Sequence, residues 1–69
     1  HKPLAISLRV YDLSGRLVRT LVDGEQEPGF YRITWDGRDP LGRGLAAGLY
    51  LVKLNAGGYE STKSIVLIR

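Results

Sequence analysis

The chain has 69 residues and no cysteine, so it is at most one domain and carries neither a disulfide nor a Cys-based zinc site. Its hydrophobic content of 43% is that of a folded domain rather than a disordered one, and no apolar run approaches the roughly 18 residues that span a bilayer. The net charge is +3, but the arginines are spread along the chain, mostly beside acidic residues or turns, which argues against nucleic-acid binding.

The first two predicted strands are joined by a short turn. The apolar positions of residues 4–11 are Leu4, Ile6, Leu8 and Val10. Their alternation predicts a strand with one buried face. Residues 12–15, DLSG, predict a turn, because Asp and Ser bond the local backbone and Gly tolerates a positive φ. Residues 16–22, RLVRTLV, lack a clean alternation and would also suit a helical turn, but their length and Val content favour a bulged strand.

An acidic loop and a third strand follow. The loop is predicted at residues 23–29, DGEQEPG, and its carboxylates are Asp23, Glu25 and Glu27. Their spacing is not that of an EF-hand, so a solvated loop is favoured, although calcium binding stays open. Residues 30–35, FYRITW, alternate in polarity and predict a strand. Trp35, the only tryptophan, is predicted to anchor the core, with an indole N–H that needs a partner.

A loop rich in Gly and Pro separates the third strand from the fourth. Asp36 and Gly37 end the third strand in a turn, and Gly48 opens the fourth with Tyr50 near its start. Residues 49–55 predict the fourth strand, and residues 56–58, AGG, predict a hairpin turn. Residues 59–68 predict the fifth strand.

Five short strands separated by turns predict an all-β domain, a small antiparallel sandwich or barrel. The predicted shared core consists of Leu8, Val10, Ile33, Trp35, Tyr50, Val52 and Leu54. The last strand ends in four consecutive apolar residues, from Ile65 to Ile68, which cannot all face one side of a sheet. Two of them are therefore predicted to meet a second layer or another molecule.

The sequence predicts no catalytic, cofactor or metal site. The only histidine, His1, is the first residue, and the serines have no histidine base elsewhere. Asp36 and Asp39 resemble a carboxylate pair for glycoside chemistry, but they flank turn residues. We therefore expect both to bond the turn backbone, with Arg38 as a nearby counter-charge.

These features together resemble two related families of bacterial Ig-like modules. One is the Ig-like domain of the flagellar hook-capping protein, and the other is the C-terminal sorting domain of type IX secretion cargo. The resemblance extends from Leu8 to the C-terminus. The residues that carry it are Tyr11, Asp12, Gly15, Val18 to Leu21, Gly29, Trp35, Asp36, Gly37, Gly48, Tyr50 and Lys63 to Leu67. In order and spacing they form a specific pattern, although each alone is weak.

The resemblance implies a non-enzymatic Ig-like sandwich, here with five strands and without the first strand that these modules usually contain. It implies that residues 1–69 are one module, the C-terminal part of a larger secreted protein. In the sorting family, the last strand would serve for sorting and interaction. The corresponding residues are Lys63, Ser64, Ile65, Val66, Leu67, Ile68 and Arg69.

Three functions remain open at this point. The first is a type IX sorting or anchoring signal, recognised by the outer-membrane secretion machinery or a sortase-like protease. The second is a structural subunit of an extracellular assembly or filament, in which β-strand complementation or strand exchange between copies replaces the missing strand. The third is a small carbohydrate-binding accessory domain. Each implies a location outside the cell or at its surface, reached through the periplasm, with no nucleic-acid partner, cofactor or membrane span.

Overall fold

A computed structural model describes residues 3–27 and 29–68 of the chain. Its strands are β1 (Leu4–Tyr11), β2 (Leu17–Gln26), β3 (Gly48–Ala56) and β4 (Tyr59–Leu67). They form one antiparallel sheet in the order β2-β1-β3-β4, so β2 and β4 are its edges. The predicted all-β class is confirmed. No helix in the described residues is long and apolar enough to cross a membrane.

The third predicted strand, at residues 30–35, and the second sheet of the sandwich are not confirmed, whereas the predicted fifth strand is present as β4. Residues 30–35, here called the strap, are assigned to no strand. No backbone-to-backbone hydrogen bond joins the strap to any other described residue. A strand needs a neighbour to form a ladder, and the described residues offer none beside the strap. The alternation of FYRITW predicted a strand, and this prediction is wrong, because the segment lies in front of the sheet without a partner.

The sheet has an inner face, which the strap crosses, and an outer face. Between β1 and β3, the pairs Ile6–Ala56, Leu8–Leu54 and Val10–Val52 lie on the inner face. The pair Arg9–Lys53 lies on the outer face, because side chains alternate along a strand. The period-2 pattern of β1 thus predicted correctly which of its side chains lie on the inner face.

Strand β2 contains the predicted irregularity and is longer than expected. Arg9 pairs with Thr20 and Leu8 with Val22, so Leu21 is an extra residue; a second shift makes Val18 another. Each bulge rotates the chain, and both extra residues pack in the core. The acidic loop predicted at residues 23–29 is wrong over residues 23–26, because these pair with the first half of β1.

The core lies at one end of the inner face. Its buried residues are Val10, Val18 and Tyr50, and Trp35 packs against them from the strap. The Trp35 and Tyr50 rings meet edge to face, with centroids 5.3 Å apart and planes at 74°. Leu8, Val52 and Leu54 are only half-buried. Ile33 is 45% exposed, so its predicted place in the core is wrong. The reason is that no second sheet covers the strap.

One five-residue turn, D-x-x-G-R, occurs twice, at residues 12–16 and 39–43. In each copy, the Asp carboxylate accepts hydrogen bonds from the backbone N–H groups two and four residues on, at 2.9–3.0 Å. The Arg side chain closes the turn on that carboxylate, at 3.3 Å and 2.8 Å respectively. Gly15 and Gly42 adopt φ values of +89° and +83°, which a side chain would strain. The first of these turns was predicted from the sequence, but its repetition at residues 39–43 was not.

Candidate functional site

The predicted turn after the strap is held by side-chain bonds. The Trp35 indole Nε1 donates to the Arg38 carbonyl oxygen at 3.1 Å. The Asp36 carboxylate accepts from the Arg38 backbone N–H at 3.0 Å and from Arg19 Nη1 at 3.2 Å. Gly37 is buried, with φ at +74°. This geometry fixes the Trp35 ring over one end of the sheet.

Two further predicted turn and core residues lie where β3 begins. Gly48 is its first residue, at φ +147°, a value that favours glycine, and it pairs with Leu67. The Tyr50 hydroxyl donates to the Ala46 carbonyl oxygen, while its ring contacts Trp35. The structure therefore brings Trp35, Asp36, Gly37 and Tyr50 into one corner, with Gly48 at its border. That corner positions the strap, and the polar groups of its side chains bond to Arg19, Arg38 and Ala46.

The expected counter-charge for Asp39 is wrong. Asp39 pairs with Arg43, whose Nε lies 2.8 Å from Oδ2. The Arg38 guanidinium instead donates to the Gly42 carbonyl oxygen at 2.8 Å. The backbone N–H of Arg43 lowers the pKa of Asp39, and the Arg43 side chain acts in the same direction. Hydrogen bonds that favour the charged carboxylate suit turn formation and not proton donation.

The C-terminal strand divides its apolar residues between both faces of the sheet. Ile65 and Leu67 pack against the core on the inner face. Val66 and Ile68 are 64% and 83% exposed. Arg69 lies outside the described residues, as do His1 and Pro28. The remaining two described residues of the predicted sorting strand lie on opposite faces of the sheet. Ser64 pairs with Leu51 and faces outward, whereas Lys63 faces inward.

The acidic residues considered for calcium do not converge. Asp23 and Glu25 alternate with Gly24 along β2 and extend toward the outer face, where Asp23 meets Arg9 at 3.8 Å. Glu27 follows the end of the strand. No cluster of three or more potential ligands exists among the described residues. The arrangement therefore offers no calcium geometry, because the strand separates the carboxylates that a loop would have gathered.

The most distinctive surface is the inner face itself, which the strap covers only along its middle. A groove of about 500 Å³ lies between the strap and the β1–β2 side, and it includes Leu4, Ile6 and Val22. A second groove of about 640 Å³, here called the β4 groove, lies between the strap and β4. Its floor includes Leu8, Leu54 and Ile65, and its wall includes Ile33 and Trp35.

These grooves leave apolar side chains in contact with water. Leu4, Tyr31 and Ile33 are 42%, 57% and 45% exposed. Contiguous exposed apolar surface on a small domain marks an interaction site more often than an accident of folding. This surface was not predicted from the sequence, because a second sheet was expected to cover it. Among the described residues, all four strands belong to one sheet, and none is left to form a second.

Comparisons with known proteins agree with one of the two resemblances. Residues 4–59 match the family model of the FlgD Ig-like domain. The basal-body rod modification proteins FlgD of Salmonella typhimurium (strain LT2) and Salmonella typhi are each 35% identical over 51 residues. The match covers 74% of this chain and 22% of each relative, so the chain spans less than a quarter of their length. No solved structure matches significantly.

The expected location is contradicted by these matches. The chain was expected to lie outside the cell or at its surface, reached through the periplasm. The family that matches is the FlgD module, and its relatives are named for the rod of the flagellar basal body. The matches do not include a secretion sorting module.

Proposed function

Since the chain belongs to the FlgD Ig-like domain family, we propose that it is a non-enzymatic structural module of a flagellar rod or hook-capping protein. It joins its assembly by burying the inner face of the sheet. The observation that carries this proposal is the uncovered apolar surface on both sides of the strap. Strand complementation, in which an added strand completes the second layer, is the form of assembly that this surface suits.

The energetics favour a covered inner face. Completely burying a Leu or Ile side chain stabilises a protein by about 1.5–3 kcal/mol. Leu4 and Ile33 are both more than 40% exposed. Covering them would therefore gain a substantial part of this burial free energy. A domain of this size has a small core and a small total stability. Assembly would therefore stabilise the fold and the complex together.

The polar groups support a structural role. The carboxylate of Asp39 is bonded by two backbone N–H groups and by Arg43. Asp36 is bonded by Arg38 and Arg19. A general acid needs a raised pKa and access to substrate, whereas the pKa of Asp39 is lowered.

We do not extend the proposal to secretion sorting or to carbohydrate binding. The sorting hypothesis rested on the last strand, of which Ile65 and Leu67 pack in the core. The matched family gives it no support. For carbohydrate binding, no observation favours a sugar over another ligand.

A chimera tests the proposal. The matched segment of Salmonella FlgD is replaced by residues 4–68 of this chain, which include Leu4, in a strain that lacks its own FlgD. We expect the chimera to restore hooks and motility, and its Leu4→Asp variant to fail. Leu13→Asp is the matched control, because Leu13 is exposed in the turn of residues 12–16, away from the inner face. Equal restoration by both variants would contradict the proposal, as would a stable chimera that forms no hooks.

A further inference from the structure

We propose that Arg19 positions the strap on the inner face of the sheet, and that assembly requires the strap to lie there. This inference rests on the proposed assembly function and names a residue that shapes the surface used for it. Arg19 lies on β2 and acts through the turn of residues 36–38, which follows the strap. Three observations support this role: the register of β2, the hydrogen bonds of the Arg19 side chain, and the exposure of its ion pair.

Without its bulges, β2 would place Arg19 on the outer face. Tyr11 pairs with Leu17, and an unbroken antiparallel ladder from that pair would set Arg19 directly opposite Arg9. Arg9 lies on the outer face, where it already pairs with Lys53. Like charges at directly opposed positions destabilise a sheet. An unbroken strand would thus add a third cation to this row and leave the turn after the strap without the guanidinium.

The observed register instead places Arg19 and Thr20 between two bulges. Val18 is the extra residue before them, and Leu21 is the extra residue after them. The first bulge moves Arg19 opposite Val10, which is buried on the inner face, and the second returns the strand to its former facing. The two bulges together therefore turn over a stretch of only two residues. Bulges often occur next to functional sites, where they redirect a side chain.

The redirected side chain holds the turn that follows the strap. Arg19 Nη1 donates to the Arg38 carbonyl oxygen at 2.8 Å and to Asp36 Oδ1 at 3.2 Å. The Trp35 indole donates to the same carbonyl oxygen at 3.1 Å, and Asp36 Oδ1 also accepts from the Arg38 backbone N–H at 3.0 Å. Arg19 therefore bonds two oxygen atoms of the turn, and one of them also binds the ring that anchors the strap.

The position of this turn sets the shape of both grooves. Trp35 is the last residue of the strap and lines the β4 groove, and Ile33 lines both grooves. A shift of the turn across the sheet would carry these side chains with it, so that one groove would widen as the other narrows. The surface that assembly buries therefore depends on where Arg19 holds the turn.

The exposure of the ion pair separates positioning from overall stability. The Arg19 side chain is 29% exposed and that of Asp36 is 56% exposed. An ion pair so open to water adds little to the free energy of unfolding. The ladders that join β1 to β2 and to β3 do not involve the strap. Loss of the guanidinium should therefore leave the domain folded, while the turn loses its fixed place on the sheet.

The test compares variants of the 69-residue chain. Arg19→Met keeps an apolar stem and removes every donor, whereas Arg19→Lys keeps the charge and three N–H donors. Arg16→Met is the matched control, because Arg16 pairs with Asp12 at 3.3 Å, close to the 3.2 Å of the Arg19 pair, but in the first D-x-x-G-R turn. Nuclear magnetic resonance measures hydrogen exchange at the Trp35 indole and at the amides of β1 and β3. It also measures the nuclear Overhauser effects between the Trp35 and Tyr50 rings.

We expect Arg19→Met to speed exchange at the Trp35 indole N–H about tenfold and to weaken the effects between the two rings, while the amides of β1 and β3 change by less than about threefold. Arg19→Lys should recover most of the indole protection, and Arg16→Met should match the parent chain.

Unchanged indole exchange in Arg19→Met would overturn the inference. An indole rate that rises by the same factor as the amides of β1 would overturn it too, because Arg19 would then act only on global unfolding. The same holds if Arg19→Met does not fold, as measured by circular dichroism.

The Salmonella chimera connects the position of the strap to assembly. Arg19→Met should cause a loss of hooks, Arg19→Lys should restore them, and Arg16→Met should form as many hooks as the parent chimera. If Arg19→Met alters the ring contacts but the chimera still forms the full number of hooks, this inference is wrong and the proposed assembly function stands. A parent chimera without hooks contradicts the proposed function, and the exchange measurements still decide whether Arg19 positions the strap.

Discussion

Replacing Trp35 with alanine tests how much of the fold depends on the single ring that the strap places on the sheet. The half-buried ring removes about 120 Å² from water, worth about 3 kcal/mol at 25 cal/mol per Å². Its edge-to-face pair with Tyr50 adds about 1 kcal/mol. Its hydrogen bond to the Arg38 carbonyl adds about 1 kcal/mol or less, because that oxygen keeps a second donor in Arg19.

We therefore expect Trp35→Ala to lower the free energy of unfolding by about 3–5 kcal/mol, which is most of the stability of a 69-residue domain. Trp35→Phe keeps the aromatic pair and should lose only about 1–2 kcal/mol. Leu41→Ala is the control, because Leu41 is 77% exposed and should change stability by less than about 0.5 kcal/mol.

Urea denaturation followed by circular dichroism measures all three variants, since two of them lack the fluorescent tryptophan. The parent chain sets the reference midpoint and slope. An Ala variant that unfolds within about 1 kcal/mol of the parent would show that Trp35 does not hold the strap on the sheet. Equal losses in Trp35→Ala and Trp35→Phe would show that the indole N–H, and not ring packing, carries the effect.

Three other predictions concern the turns and the last strand. Gly42→Ala should cost about 1–2 kcal/mol in thermal or urea unfolding, because φ there is +83°, whereas Gly24→Ala, with open space and no positive φ, should cost about 0.5 kcal/mol or less; equal effects would refute the strain argument. The pKa values of Asp12 and Asp39 are lowered by hydrogen bonds, from the Ser14 hydroxyl and the Arg43 N–H first, so their stabilisation is present above the ordinary carboxyl pKa of about 3.9 and is lost as the pH falls below it. The double Asn variant should show a smaller loss of stability between pH 5 and pH 2 than the parent, and an identical pH profile would contradict this. Deleting residues 63–69 removes the partners of the first five residues of β3 and should abolish cooperative unfolding measured by circular dichroism; a truncated chain that still unfolds cooperatively would show that β4 is dispensable.

The elements predicted correctly are those whose sequence pattern is complete within a few consecutive residues. Strand β1 matched its predicted bounds, since its alternation needed no distant partner. The Gly57-Gly58 hairpin also formed where expected, between β3 and β4. A bulge in β2 was predicted because its apolar positions broke the alternation; the structure has two, with Val18 and Leu21 as the extra residues.

Features that depend on a distant partner were not predictable in the same way. The composition of the acidic residues of β2 does not favour a strand. They form one because β1 lies beside them and pairs with them. The strap has strand-like alternation but no neighbour, so its pattern alone gave the wrong assignment. The candidate surface was not predicted for the same reason. A surface that is exposed because a second layer is absent has no sequence motif of its own.

Residue-resolved hydrogen exchange in the free 69-residue chain tests the central claim, that the inner face is open and the strap unpaired. We predict that the amides of residues 30–34 exchange close to the unprotected rate. Amides of the paired strands β1 and β3 should be protected by the free energy of unfolding. Strap amides as well protected as those of β1 would mean that a closed second layer already exists, and the account of an open assembly surface would be wrong.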